Sequence, residues 1–160
     1  SAPAPDALAA MLGLAPSEVL AGAECWSCGV PFLVVPLVSV AALSRARLDL
    51  GRWRELLAGY PAQEVFPVAA DGASWRARMF APSIGVTEDP ATGSAAAAFA
   101  GWLARRTPQR DGTVDLLISQ GVEMGRPSRI ELAFDLAEGR VTAVRVGGGA
   151  VMVCHGQMLV

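Results

Sequence analysis

The chain has 160 residues, enough for one ordinary domain that buries roughly 70% of its unfolded surface on folding. Apolar residues make up 52%, charged ones 18% and the formal net charge is −2, which excludes disorder and argues against a nucleic-acid or anionic-membrane partner recognised by bulk charge. All 13 basic residues are Arg, so no lysine Schiff base, pyridoxal-phosphate anchor or P-loop lysine is available, and the single His155 leaves no His pair for a metal.

The first residues, Ser1 to Pro5, read as a linker, and a start at Ser1 raises the expectation of a preceding segment. Asp6 is a candidate N-cap for a short helix to Leu12 that Gly13 stops, and Pro16-Ser17-Glu18 opens another turn. Residues 23–38 are β-like. Within them Phe32-Leu33-Val34-Val35 is a continuous apolar run suited to a strand buried on both faces. Residues 39–47 and 48–58 have helical spacing, with Leu43, Leu48, Trp53, Leu56 and Leu57 as the apolar stripe. Strands follow at 64–69 and 75–80.

The last third is β in character. A strand is expected at 114–119. Residues 129–137 alternate, with Ile130, Leu132, Phe134 and Leu136 on one face and Glu131 and Asp135 on the other. Glu138-Gly139 turns the chain into 140–146, and Gly147-Gly148-Gly149 turns it into a last strand over 150–160. This order predicts an α+β fold in which a mixed, mostly antiparallel sheet curls around one central helix. No apolar run approaches the roughly 18 residues that span a bilayer, no basic leader precedes an apolar stretch, and three cysteines form no even disulfide set. A cytoplasmic, reducing setting is the expectation.

The most informative segment precedes and forms that helix. Ser94 to Ala104 carries no charge over 11 residues, so the helix is expected to be buried all round. Its first N–H groups still need acceptors. Two caps are open: Asp89 followed by Pro90, or Thr92, which would leave the amides of Gly93, Ser94 and Ala95 facing open space as an anion site. Two acids, a hydroxyl and a glycine converge on this point, more than a cap needs.

Glu88-Asp89-Pro90-Ala91-Thr92-Gly93-Ser94-Ala95 and the alanine-rich helix behind it resemble the signature of the phenazine-biosynthesis PhzF-like isomerases, which have the diaminopimelate epimerase-like fold. Residues 29–37 (GVPFLVVPL), 78–82 (RMFAP) and 120–128 (QGVEMGRPS) resemble further family motifs in the same order. The likeness covers the family's C-terminal half, one of two similar lobes that each fold a sheet around a helix and enclose the active site between them. It implies cofactor-free and metal-free proton-shuttling isomerase chemistry on a small carboxylate-bearing substrate. Asp89 would be the site acid. Gly93 and Ser94 would hold the substrate carboxylate, with Thr92 and Glu88 completing the substrate-binding set. Ala91 stands where related racemases carry a catalytic cysteine, which disfavours cysteine-pair racemisation.

The family's principal glutamate base and its histidine belong to the N-terminal lobe, so residues 1–160 are expected to be one lobe, inactive or incomplete alone. The competing expectations are a non-catalytic carboxylate-binding module, a self-assembling homodimer, or half of a split enzyme. Other candidates are weaker. Cys25-Trp26-Ser27-Cys28 lies in strand-like context, and adjacent Cys154 and His155 would point to opposite faces of a strand. Arg126 and Glu123 read as loop residues paired with nearby charges or facing an anionic substrate. The four tryptophans read as core or groove filler.

Overall fold

Four α-helices and seven strands follow one another along the chain, and the structure, a computed structural model, describes residues 2–158. Helix α1 (Pro5–Leu12) starts one residue before Asp6. Proline's fixed φ suits the first helical position, so Ala4 rather than Asp6 takes the cap position. Gly13 ends the helix in the left-handed region at φ 66°, as expected. A 3₁₀ turn follows at Pro16–Glu18.

The β-like stretch at 23–38 is broken at Gly29 (φ 106°) into β1 (Glu24–Cys28) and β2 (Val30–Pro36), which pair antiparallel. Ser39 Oγ accepts the Ala42 amide to cap α2 (Val40–Arg45), and Asp49 accepts the Arg52 amide to cap α3 (Leu50–Leu57). These helices carry the chain to β3 (Glu64–Asp71), which lies parallel to β2. The strand β4 (Ser74–Ala77) is shorter than its pattern implied, because beyond Ala77 only a single bridge joins Phe80 to Val65.

The buried helix is α4 (Gly93–Ala104), a crossover between β4 and the parallel strand β5 (Gly112–Gln120). Antiparallel β6 (Ser128–Ala137) and β7 (Arg140–Gly148) complete the sheet, joined by Glu138 and Gly139 at positive φ (52° and 77°). The seven strands lie side by side in chain order, with four antiparallel and two parallel neighbour pairs. The fold is α+β, a mixed sheet curled around α4.

Two cores flank this sheet. On the inner face Phe32, Val34, Phe66, Val68, Ile118, Leu132 and Phe134 close on α4. On the outer face Leu33, Val35 and Val65 pack with Leu8, Leu12, Leu43 and Leu57 of α1–α3. The unbroken apolar run in β2 is therefore the mark of a strand covered on both sides.

Small residues let α4 sit this deep. A Cβ on Gly101 would come within 2.4 Å of the Trp26 ring. Phe99 stacks on Trp102 with ring centroids 5.4 Å apart and meets Trp75 edge-on at 5.1 Å, so two of the four tryptophans are core aromatics. Only the first residues of the helix, Gly93 and Ser94, are exposed.

One predicted strand is absent. Residues 149–158 form no strand, and Val151, Met152 and Val153 are 84%, 83% and 92% exposed. Alternation alone does not make a strand. Its amides need a neighbour, and these residues pair with neither β7 nor any other strand. Residues 159–160 of that expectation lie outside the described residues. No helix among the described residues is long and apolar enough to cross a membrane.

Candidate active site

The lead-in to α4 is held from behind by a buried arginine. Arg78 projects from the end of β4 toward the outer core with only 3% of its surface exposed. Its Nε and Nη2 donate to the two carboxylate oxygens of Glu88 at 2.7 and 2.8 Å. Its Nη1 donates to the carbonyls of Leu43 and Ala46 at 3.1 and 2.7 Å, at the C-terminal end of α2 where the helix dipole favours a cation. Both Glu88 oxygens are thus committed to Arg78 rather than to open space. The residue anchors the loop that carries Asp89.

Asp89 is fixed next. Its amide donates to the Met79 carbonyl at 3.0 Å. One carboxylate oxygen, Oδ2, accepts the Thr92 hydroxyl, and no donor among the described residues meets Oδ1. From the opposite side comes Gln120, the last residue of β5, which has no exposed surface. Its side-chain carbonyl accepts the Thr92 amide at 3.2 Å, and its Nε2 donates to the Asp89 carbonyl at 2.7 Å and to Thr92 Oγ1 at 2.9 Å. Gly121 makes this approach possible. At φ 76°, a Cβ there would lie 2.4 Å from the Arg126 carbonyl oxygen and 2.8 Å from that of Pro90.

Of the two caps left open by the sequence, the structure chooses the second in position but not in chemistry. Thr92 occupies the cap position of α4, yet its side chain bonds no helix amide. The hydroxyl is already engaged by Asp89 and Gln120. The Ala96 amide turns back to the Thr92 carbonyl at 3.0 Å, while the amides of Gly93, Ser94 and Ala95 have no acceptor among the described residues. Of the three residues, Gly93 borders an open cleft of about 450 Å³, walled also by Ser128, Arg129, Ile130 and the glycines 147–149. Gly148 allows that wall to close up, since a Cβ there would lie 2.8 Å from the Arg129 carbonyl oxygen.

The sequence-predicted set is therefore brought together in part. Asp89, Thr92, Gly93 and Ser94 lie together at the start of α4, where Gly93 lines the cleft, whereas Glu88 faces inward to Arg78. Arg126 is exposed and forms no ion pair among the described residues. Glu123 is paired. It accepts from Ser44 at 2.9 Å and from Arg76 at 3.3 Å; burial pushes its carboxyl up, but its own amide, Ser44 and Arg76 together bring it below the usual range.

The strand pleat sends Cys25 to the outer core and Cys28 to the other side, and burial raises the Cys25 thiol. They do not form a shared redox or metal pair. Gln120, which ties Asp89 to Thr92, was not among the site residues expected from the sequence. The signal was present: Val114, Leu116 and Ile118 point inward from β5, and Gln120 is the polar residue that breaks that register.

These observations define a class: an α+β fold whose buried helix offers N-terminal amides without a partner among the described residues, beside a fixed carboxylate and near a cleft. A family model described as phenazine biosynthesis-like protein matches residues 4–156, and the chain belongs to that family. It is 39% identical over 171 residues to an uncharacterized isomerase of Mesorhizobium japonicum, covering 98% of this chain and 55% of that one. It is 40% identical over 153 residues to the trans-2,3-dihydro-3-hydroxyanthranilate isomerase of Pseudomonas aeruginosa, covering 96% and 52%. Its fold matches that of the Bacillus anthracis phenazine biosynthesis protein of the PhzF family with a TM-score of 0.72 at 21% identity, over 82% of this chain and 46% of that one. The chain spans about half the length of the curated relatives it matches.

Proposed function

We propose that this chain is one wall of a cofactor-independent isomerase that relocates a proton on a small carboxylate-bearing metabolite. The observation that carries the reading is the conjunction at the start of α4: three amides without a protein acceptor, and an aspartate carboxylate fixed three residues before the cap. The amides of Gly93 and Ser94 bind the substrate carboxylate. A helix N-terminus stabilises such an anion by up to about 2 kcal/mol when partly buried. The Ser94 hydroxyl adds a further donor, and Thr92 fixes the geometry. The ring carboxylate of the dihydrohydroxyanthranilate for which the Pseudomonas aeruginosa relative is named supports this substrate class.

Asp89 then serves as the acid. An isomerisation of this kind takes a proton from one carbon and delivers one to another, with no net oxidation and no group lost. One carboxylic acid beside the substrate can deliver the proton, but removal at a second carbon calls for a base on the facing side. Among the described residues Asp89 is the acid set beside these amides, so the facing wall comes from an N-terminal lobe or, on self-association, from a second copy. The chain alone is incomplete. Free cysteines without a disulfide accord with a cytoplasmic setting.

The test is solvent deuterium incorporation into trans-2,3-dihydro-3-hydroxyanthranilate. The isolated chain should show no turnover, and a chain joined to the N-terminal lobe of a relative should show turnover that Asp89→Asn abolishes. Efficient isomerisation by the isolated chain would overturn the incompleteness. Full activity of the joined Asp89→Asn protein would overturn the assignment of Asp89.

A further inference from the structure

We infer that Gln120 is a positioning residue that keeps the start of α4 uncapped, and so keeps the carboxylate site proposed above open for its ligand. The inference rests on that reading of the site. A threonine at a helix cap position ordinarily folds its oxygen over the second or third helix amide, here Ser94 or Ala95, and satisfies it. Thr92 has the position without the bond.

The reason lies in the direction of the hydrogen bonds. Gln120 Nε2 donates to Thr92 Oγ1, so that oxygen accepts and its single proton is left to donate, which it does to Asp89 Oδ2. The order Gln120 to Thr92 to Asp89 is fixed at its source. Reversing the Gln120 amide would set its oxygen against the Asp89 carbonyl and its NH₂ against the Thr92 amide, two repulsions in place of two bonds. Gln120 is fully buried, so no water competes for these groups. One side chain therefore aims the acid and withholds the cap.

Two substitutions read this out without reference to turnover. Gln120→Met keeps the volume and removes the bonds, and Gln120→Asn, a milder change, withdraws the amide from Thr92 by one methylene. In either variant the freed hydroxyl should cap the helix. The Ser94 and Ala95 amides should exchange with deuterium about fivefold more slowly than in the unaltered chain, and benzoate, followed by amide shifts at Gly93 to Ala95, should bind about fivefold more weakly.

Adding Thr92→Val to either variant removes the capping hydroxyl. The double variant should recover fast exchange at Ser94 and Ala95. A general structural defect would instead make the double variant no better than the single one, and that result would overturn the inference. So would unchanged exchange at Ser94 and Ala95 in both single variants. Absence of benzoate shifts in the unaltered chain would refute the carboxylate site itself, while the ligand-free exchange pattern would still decide the role of Gln120.

Discussion

Gly121 and Gly125 lie in the same loop, both at positive φ (76° and 70°), and differ in what surrounds them. A Cβ on Gly125 would meet nothing within 4 Å, whereas one on Gly121 would press into backbone atoms of Arg126 and Pro90 at 2.4 to 2.9 Å. Gly125→Ala therefore isolates the conformational cost. Left-handed backbone costs a non-glycine residue roughly 1–2 kcal/mol, offset by about 0.4–1 kcal/mol of lost unfolded-state freedom, for a net loss of about 1 kcal/mol. Gly121→Ala carries the same cost plus overpacking against backbone that cannot rotate away, a further 1–3 kcal/mol or so. Its total is about 2–4 kcal/mol.

Urea denaturation of both variants measures the difference directly, and thermal unfolding should separate them by several degrees, at roughly 2–4 °C per kcal/mol for a chain of this size. Gly121→Ala should also shift the amides of Asp89 to Ala95, because Pro90 is one of the atoms displaced, while Gly125→Ala should leave them in place. Equal destabilisation by the two substitutions would refute the reasoning, since it would mean that the close approach at Gly121 contributes nothing beyond its φ.

Arg78→Met should cost about 3–5 kcal/mol in the same denaturation assay, since it leaves Glu88 buried without its cation, and Glu88→Gln in that background should restore part of the loss. Glu123 should contribute to acid lability: its folded carboxyl is held below the usual glutamate range, so its stabilisation is complete above that range and is lost as pH falls through the lower folded value. Glu123→Gln should flatten stability against pH in that acidic window and leave the slope above pH 6 unchanged; an unaltered acid limb would count against the Arg76 and Ser44 pairing.

The parts of this structure written in local patterns were legible. The uncharged run from Ser94 to Ala104 announced a helix surrounded by strands, and the alternation in 129–137 gave the inner face of β6 residue by residue. The candidate site stood out in the sequence where it is contiguous, from Asp89 to Ser94. What escaped depends on contacts distant in sequence. Gln120 reaches Thr92 across 28 positions, and Arg78 joins the α2 carbonyls to Glu88, so no spacing in the chain reveals either. The hydroxyl at Thr92 has the sequence of a cap, and only its distant partner decides that it is not one. The failure at 149–158 has a similar cause, since a β-like pattern specifies a face and not the neighbour that pairs with it.

The methyl-sized surface of α4 leaves its axial position to very few side chains. Ala95 to Ala98, Ala100 and Gly101 offer little to resist sliding, while Phe99 and Trp102, wedged among Phe66 and Trp75, act as the pins. Trp102 adds a fixed bond from its Nε1 to the Gly22 carbonyl at 2.8 Å. A slip of one residue past these pins would move each amide about 1.5 Å along the axis and turn it by about 100°. The aim of the amides at the mouth of the cleft is thus calibrated by two aromatic rings near the far end of the helix, so a substitution at Phe99 would register first as a misdirected donor well away from the altered residue.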